Sequence, residues 1–129
     1  MITGFDHVAI TVADMDKACD FYVRTLDARV DQVYRIENRP IVSRVLIGGA
    51  MLNVHQQGNG VDLVARAPTP GSADLCFRWG GSIESAVERL GQAGVAIVEG
   101  PAARVTNDGT PSKSVYFKDL DGNLIELMA

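Results

Sequence analysis

Aromatic side chains make up only 6% of this 129-residue chain, and histidine and cysteine occur just twice each. Each shortage narrows what the protein can be. Cys19 and Cys76 supply neither a disulfide framework nor a C-x-x-C pair, so a reduced, cytoplasmic setting is expected. Cys76 reads as a small buried hydrophobe rather than a nucleophile. Runs of lysine and arginine are missing. The tightest arginine group, Arg35, Arg39 and Arg44, is interrupted by Ile36, Glu37 and Ile41. Together with a formal net charge of −4, this argues against a nucleic-acid partner, whose phosphates require clustered cations. No apolar stretch approaches the roughly 18 residues that cross a bilayer, so no membrane partner is expected. The opening MITGFDHVAI has neither the basic flank nor the apolar segment of a secretion signal. Gly48-Gly49 lacks the spacing of a phosphate loop, and no Ser/His/acid trio has a recognisable local frame.

What is present suffices for a core. Hydrophobic residues are 47% of the chain and charged residues 22%, at a single-domain length. FDHVAITV, residues 5–12, reads as a short β-branched strand. Met15, Ala18, Cys19, Tyr22, Val23 and Leu26 then recur on one face of a 3.6-residue period, with Asp14 as the N-cap. Strands are expected over about 28–37, 40–48 and 50–57, punctuated by Pro40 and Gly48-Gly49. Residues 58–72, rich in glycine and proline, read as a linker. The order then repeats. A strand over 73–79 precedes a helix marked by Ile83, Ala86, Val87 and Leu90, with Gly94 at its end. A strand at 95–98, a loop over 99–113 and two closing strands follow. The pattern predicts an internal duplication: module 1 about 1–57, module 2 about 73–129, each β-α-β-β-β. The fold class is α+β, a curled eight-stranded mixed sheet.

Both histidines fall inside expected strands. His7, Ala9 and Thr11 share one face, and so do Met51, Asn53 and His55. In the second module the matching faces carry Asp74, Cys76 and Arg78, then Leu124, Glu126 and Met128. By position, His7 pairs with Asp74 in the repeat and His55 with Glu126. Asp6, the strand neighbour of His7, is expected to face away from it. Glu126 stands alone in the apolar run NLIELM, where an unpaired charge would be costly to bury. Arg78 and Lys118 are possible ion-pair partners; a divalent metal is the other way to balance the charge. Two imidazoles and a carboxylate form a facial set that leaves metal positions open.

FDHVAITVADMDKACDFY and DLDGNLIEL resemble the first strand-helix and the last turn-strand of the vicinal oxygen chelate superfamily, which includes glyoxalase I, bleomycin-resistance proteins and extradiol dioxygenases. The stretches APTPGSADLCF and NVHQQG are similar to its glyoxalase-domain, virulence-associated branch. The resemblance implies paired βαβββ modules around a metal cavity, a small-molecule substrate and a homodimer. It implies metal ligands at His7, His55 and Glu126, the metal being Zn, Ni, Fe, Co or Mn. Asp74 and His55 depart from the pattern of glyoxalase I, which commonly has histidine and glutamate at those places. The reaction it implies is that of a metal-dependent lyase or isomerase working on a thiol hemithioacetal or similar vicinal-oxygen substrate. Glu126 and then Asp74 are the candidate bases, with Arg78 and Thr11 contacting substrate. Ring-cleaving dioxygenase chemistry and non-catalytic antibiotic binding are the alternatives. A dioxygenase would want further histidines, and a binder would want more aromatics.

Overall fold

The computed structural model describes residues 1–129. Ten elements run in the order β1 (Val8–Val12), α1 (Met15–Leu26), β2 (Arg29–Ile36), β3 (Arg39–Ile47), β4 (Ala50–Gln56), β5 (Asp74–Arg78), α2 (Ile83–Gln92), β6 (Ile97–Val105), β7 (Pro111–Lys118) and β8 (Leu124–Met128). The chain divides into two units, Met1–Ser72 and Ala73–Ala129. Each is β-α-β-β-β, as the duplication predicts. The eight strands form two four-stranded sheets, ordered β1-β4-β3-β2 and β5-β8-β7-β6.

In the first unit β1 runs parallel to β4, while β4-β3 and β3-β2 are antiparallel. Asp14 caps α1 by accepting from the Lys17 N–H at 3.0 Å, and the helix ends where Asp27 turns left-handed at φ 52°. Met15, Ala18, Cys19 and Tyr22 are buried as expected, but Val23 is exposed and Phe21 and Thr25 are buried instead. The buried stripe is therefore rotated toward Phe21, whose ring meets Tyr22 edge-on at 5.7 Å. This helix covers a sheet face made by Ile10, Val12, Ile41, Val45, Ile47, Leu52 and Val54, all buried. Each such side chain contributes about 1.5–3 kcal/mol when fully removed from water.

The second unit repeats the pattern with β5 parallel to β8. Ser82 caps α2, accepting from the Ser85 N–H, and Gly94 at φ 69° follows its end, so the glycine stop is where the sequence places it. Ile83, Ala86 and Leu90 are buried, as are Val115 and Phe117 of β7 and Ile125 and Leu127 of β8. The expected loop over 99–113 is corrected. Residues up to Val105 belong to β6, β7 begins at Pro111, and the turn is only 106–110. Glycine and proline in EGPAARV look like loop punctuation, but here they form an irregularity in the β6-β7 ladder between Glu99 and Ala102. Gly100, at φ 101°, lies so close to β7 that a Cβ would meet the Ser114 carbonyl at 2.4 Å.

The turn before β8 is held from inside. Asp119 Oδ1 accepts from the N–H groups of Asp121 (3.0 Å) and Asn123 (2.9 Å). Asn123 Nδ2 donates to Asp119 Oδ2 at 2.7 Å, and Asn123 Oδ1 accepts from the Ala73 N–H at 2.9 Å. A buried side chain thus ties the last turn to the entry of β5. Residues 58–72, expected as a linker, group with the first unit.

Candidate functional site

In each unit one sheet face is covered by the helix and the other carries the polar residues singled out in the sequence. In the first unit Ala9 lies opposite Asn53 and Thr11 opposite His55. In the second, Cys76 lies opposite Glu126, and Glu126 opposite Tyr116. The position matching Glu126 in the repeat is therefore Asn53, with His55 one step further along the same face. This corrects the pairing of His55 with Glu126. Asn53 Oδ1 is buried and has no hydrogen-bond partner.

His7 stands just before β1, at a bend, so strand alternation does not apply to Asp6. The two side chains meet, with His7 Nδ1 at 2.7 Å from Asp6 Oδ1, which corrects the expectation that Asp6 faces away. The imidazole beside Asp6 pulls that carboxyl below its ordinary range. A carboxylate accepts, so Nδ1 donates; in the neutral imidazole Nε2 is then left as an acceptor. His55 lies opposite Thr11, whereas His7 precedes the β1–β4 ladder, so the register does not pair the two imidazoles.

His55 is half-buried and lines a cavity of 130 Å³ together with Thr11, Asn59, Val61, Val64 and Pro68. Its Nδ1 is 3.2 Å from Asn59 Nδ2. Burial, and secondarily the charge of His7, push its pKa below the ordinary histidine value. The supposed linker is thus a wall of this cavity. Proline and glycine content signals irregular backbone, but says nothing of what the irregular backbone covers.

In the second unit a chain of donors ends on Glu126. Arg104 Nε donates to the Tyr116 hydroxyl at 2.8 Å, and that hydroxyl donates to Glu126 Oε1 at 3.0 Å. The Arg104 guanidinium also lies over the Tyr116 ring at 5.2 Å and 3.6 Å from Glu99. Neither of the possible ion-pair partners, Arg78 and Lys118, pairs with Glu126; Tyr116 donates to it. Sequence reasoning missed Tyr116 and Arg104. The alternation of SVYF places Tyr116 on the polar face, but Arg104 lay within the stretch assigned to a loop.

Cys76, expected to be buried, is exposed on this open face beside Glu126. Desolvation first, then the charge and hydrogen bonding of Glu126, push its thiol up to about 11. Asp74 and Arg78 share the face with it. Asp74 is exposed opposite Leu124, diagonal to Glu126, and Arg78 is exposed opposite Met128. No three His, Cys, Asp or Glu side chains cluster in a way that would by themselves enclose a metal. The donors that fit one by chemistry are His7, whose outer nitrogen is aimed by Asp6, and Glu126, whose carboxylate is anchored by Tyr116. Secondary partners of this kind orient metal-binding side chains.

Residues 4–127 match the family model of the glyoxalase/bleomycin resistance protein/dioxygenase superfamily. Virulence protein STM3117 of Salmonella typhimurium is 39% identical over 98% of this chain and 84% of that protein. Its crystal structure matches with a TM-score of 0.85 and 36% identity, covering 99% of this chain and 97% of that one. The glyoxalase domain-containing protein RDO1 of Mycosarcoma maydis is 40% identical over 98% of this chain and 68% of that protein. The metallothiol transferase FosB of Shouchella clausii is 28% identical over 98% of this chain and 80% of that protein. The chain belongs to the glyoxalase/bleomycin resistance protein/dioxygenase superfamily.

Proposed function

We propose that this protein is a divalent-metal-dependent enzyme acting on a small substrate with two adjacent oxygens, in the manner of a glyoxalase-like lyase or isomerase. The observation that carries the reading is the state of Glu126. It is a carboxylate on the open face of its sheet, steadied on one oxygen by a directed Arg104–Tyr116 chain. His7 of the first unit and Glu126 of the second are each proposed as a metal donor. His7 offers the Nε2 lone pair because Asp6 occupies the other nitrogen. When bound, such an ion supplies Lewis acidity toward a carbonyl oxygen. The remaining chemistry belongs to the side chains. Glu126 is the proposed base that moves a proton between neighbouring carbons, and Tyr116 supports its charge by donation. Asp74, exposed on the same face, is the second candidate base. Arg78 supplies a cation for an anionic part of the substrate.

The test is elemental analysis of purified protein, followed by turnover of a methylglyoxal–thiol hemithioacetal with the metal found. His7→Ala and Glu126→Gln are expected to lose metal while keeping the wild-type unfolding transition. Full metal content in both variants removes the proposal. Thiol transfer is a second reading, favoured by the similarity to a protein named as a metallothiol transferase. Consumption of a free thiol with an electrophilic co-substrate, without hemithioacetal turnover, would select it.

A further inference from the structure

The two histidines hold opposite tautomers. His7 donates through Nδ1 to a carboxylate, which leaves Nε2 as an acceptor. Around His55 the roles are fixed by backbone groups that cannot change theirs. Asn59 Oδ1 accepts from the Val61 N–H at 2.9 Å, and Asn59 Nδ2 donates to the Ile41 carbonyl at 2.9 Å. The amide orientation of Asn59 is therefore set, and its second N–H points at His55 Nδ1, 3.2 Å away. That nitrogen must accept. An accepting Nδ1 carries no proton, so the imidazole is neutral with its proton on Nε2. A metal on Nε2 would force the proton onto Nδ1, against the Asn59 donor.

We infer that His55 is a hydrogen-bond donor in a binding subsite of the first unit, holding a carbonyl oxygen of a small ligand, rather than a metal ligand. The Nε2–H makes no hydrogen bond within the protein, and His55 lines the 130 Å³ cavity. Thr11, opposite His55 on β1, adds a hydroxyl to the same cavity. Val61, Val64 and Pro68 supply an apolar wall for a short alkyl part. No lysine or arginine lines it, so a full carboxylate would enter without a counter-charge. A neutral ketone, aldehyde or ester oxygen fits the donors without that penalty. This subsite lies wholly within residues 11–68 and needs no metal, so it stands whether or not the proposed metal chemistry does.

The experiment uses the full chain, stripped of metal with a chelator and labelled with 15N. Two-bond proton–nitrogen correlations report which nitrogen of each imidazole is protonated. His55 is expected to show a protonated Nε2 and a bare Nδ1; a protonated Nδ1 overturns the assignment. Titration with 2-butanone should then shift the His55 Nε2 signal saturably, and propionate should act more weakly. Propionate binding tighter than 2-butanone overturns the neutral-oxygen assignment, and no saturable shift by either removes the subsite. His55→Leu should weaken 2-butanone binding about tenfold, the value of one hydrogen bond, read from the Thr11 and Val64 signals. His55→Gln keeps a donor in nearly the same place and should retain most of the affinity. Equal loss in both variants overturns the donor role.

Discussion

Replacing Asn123 gives the sharpest check on how the second unit is held together. Asn123 is 1% exposed and Asp119 8% exposed, so water cannot replace what is lost. Asn123→Ala removes the 2.7 Å bond to the Asp119 carboxylate and the 2.9 Å bond from the Ala73 N–H. A hydrogen bond to a charged group contributes about 1.5–3 kcal/mol and a neutral one about 0.5–1.5. The expected loss is therefore about 2–4 kcal/mol, or roughly 3–5 °C in Tm per kcal/mol for a chain of this size. Asn123→Asp keeps the Ala73 bond but sets a second carboxylate against the first. At pH 7 it should be the worse variant. Two adjacent carboxylates share a proton, so the pair has one pKa raised in the folded protein. A raised pKa favours the folded state once that group is protonated, so the deficit of Asp relative to Ala should close as pH falls toward about 4. Urea unfolding followed by the fluorescence of Trp79, the single tryptophan, measures both variants. A loss below about 1 kcal/mol for Ala, or an Asp deficit unchanged with pH, would refute the network as described.

Other consequences are open to direct measurement. Alkylation of Cys76 by iodoacetamide should be slow near neutral pH and rise only in the alkaline range below its pKa of about 11, and Glu126→Gln should shift that rise to lower pH. Gly81→Ala should destabilise by about 1–2 kcal/mol, because its Cβ would sit 2.6 Å from Ser85 Oγ and displace the Trp79 Nε1–H bond of 2.8 Å to that hydroxyl; a shift in Trp79 emission reports the break. Asp108, hydrogen-bonded by Thr106 and Thr110, has its pKa lowered to about 2. Its stabilisation is present above the ordinary aspartate value and fades as pH falls toward about 2, so the gap between wild type and Asp108→Asn in urea should narrow over that window. Asp14→Ala should cost about 1 kcal/mol through loss of the α1 cap, measured the same way.

The sequence carried the architecture because its signals are local and repeated. Alternation along ADLCFRW, the 3.6-residue stripes and the glycine after α2 each act within a few residues. The same locality explains the misses. Strand β6 looked like a loop because Gly100 and Pro101 break a ladder that continues around them. Val23 belonged to the apolar stripe by spacing, yet Phe21 and Thr25 took the buried side. In the site, the polar faces were legible from alternation, but their cross-strand registers were not. Counting along the chain aligned His55 with Glu126, whereas pairing across the sheets aligns Asn53 with it. The hydrogen-bond chain to Glu126 runs from Arg104 of β6 through Tyr116 of β7, and only the ladder brings these side chains together.

In both sheets the first strand hydrogen-bonds only to the last, Val8 meeting Leu52 and Leu75 meeting Ile125. A chain made from its amino end thus waits for most of a module before its opening segment has anything to join. Closing so long a loop is entropically slow, whereas the β2-β3-β4 and β6-β7-β8 meanders can assemble from near neighbours. Pulse-labelled hydrogen exchange during refolding should find the amides of Ala9 and Thr11 protected after those of Val45 and Val54. The stretch holding His7 is then among the last pieces to take its place.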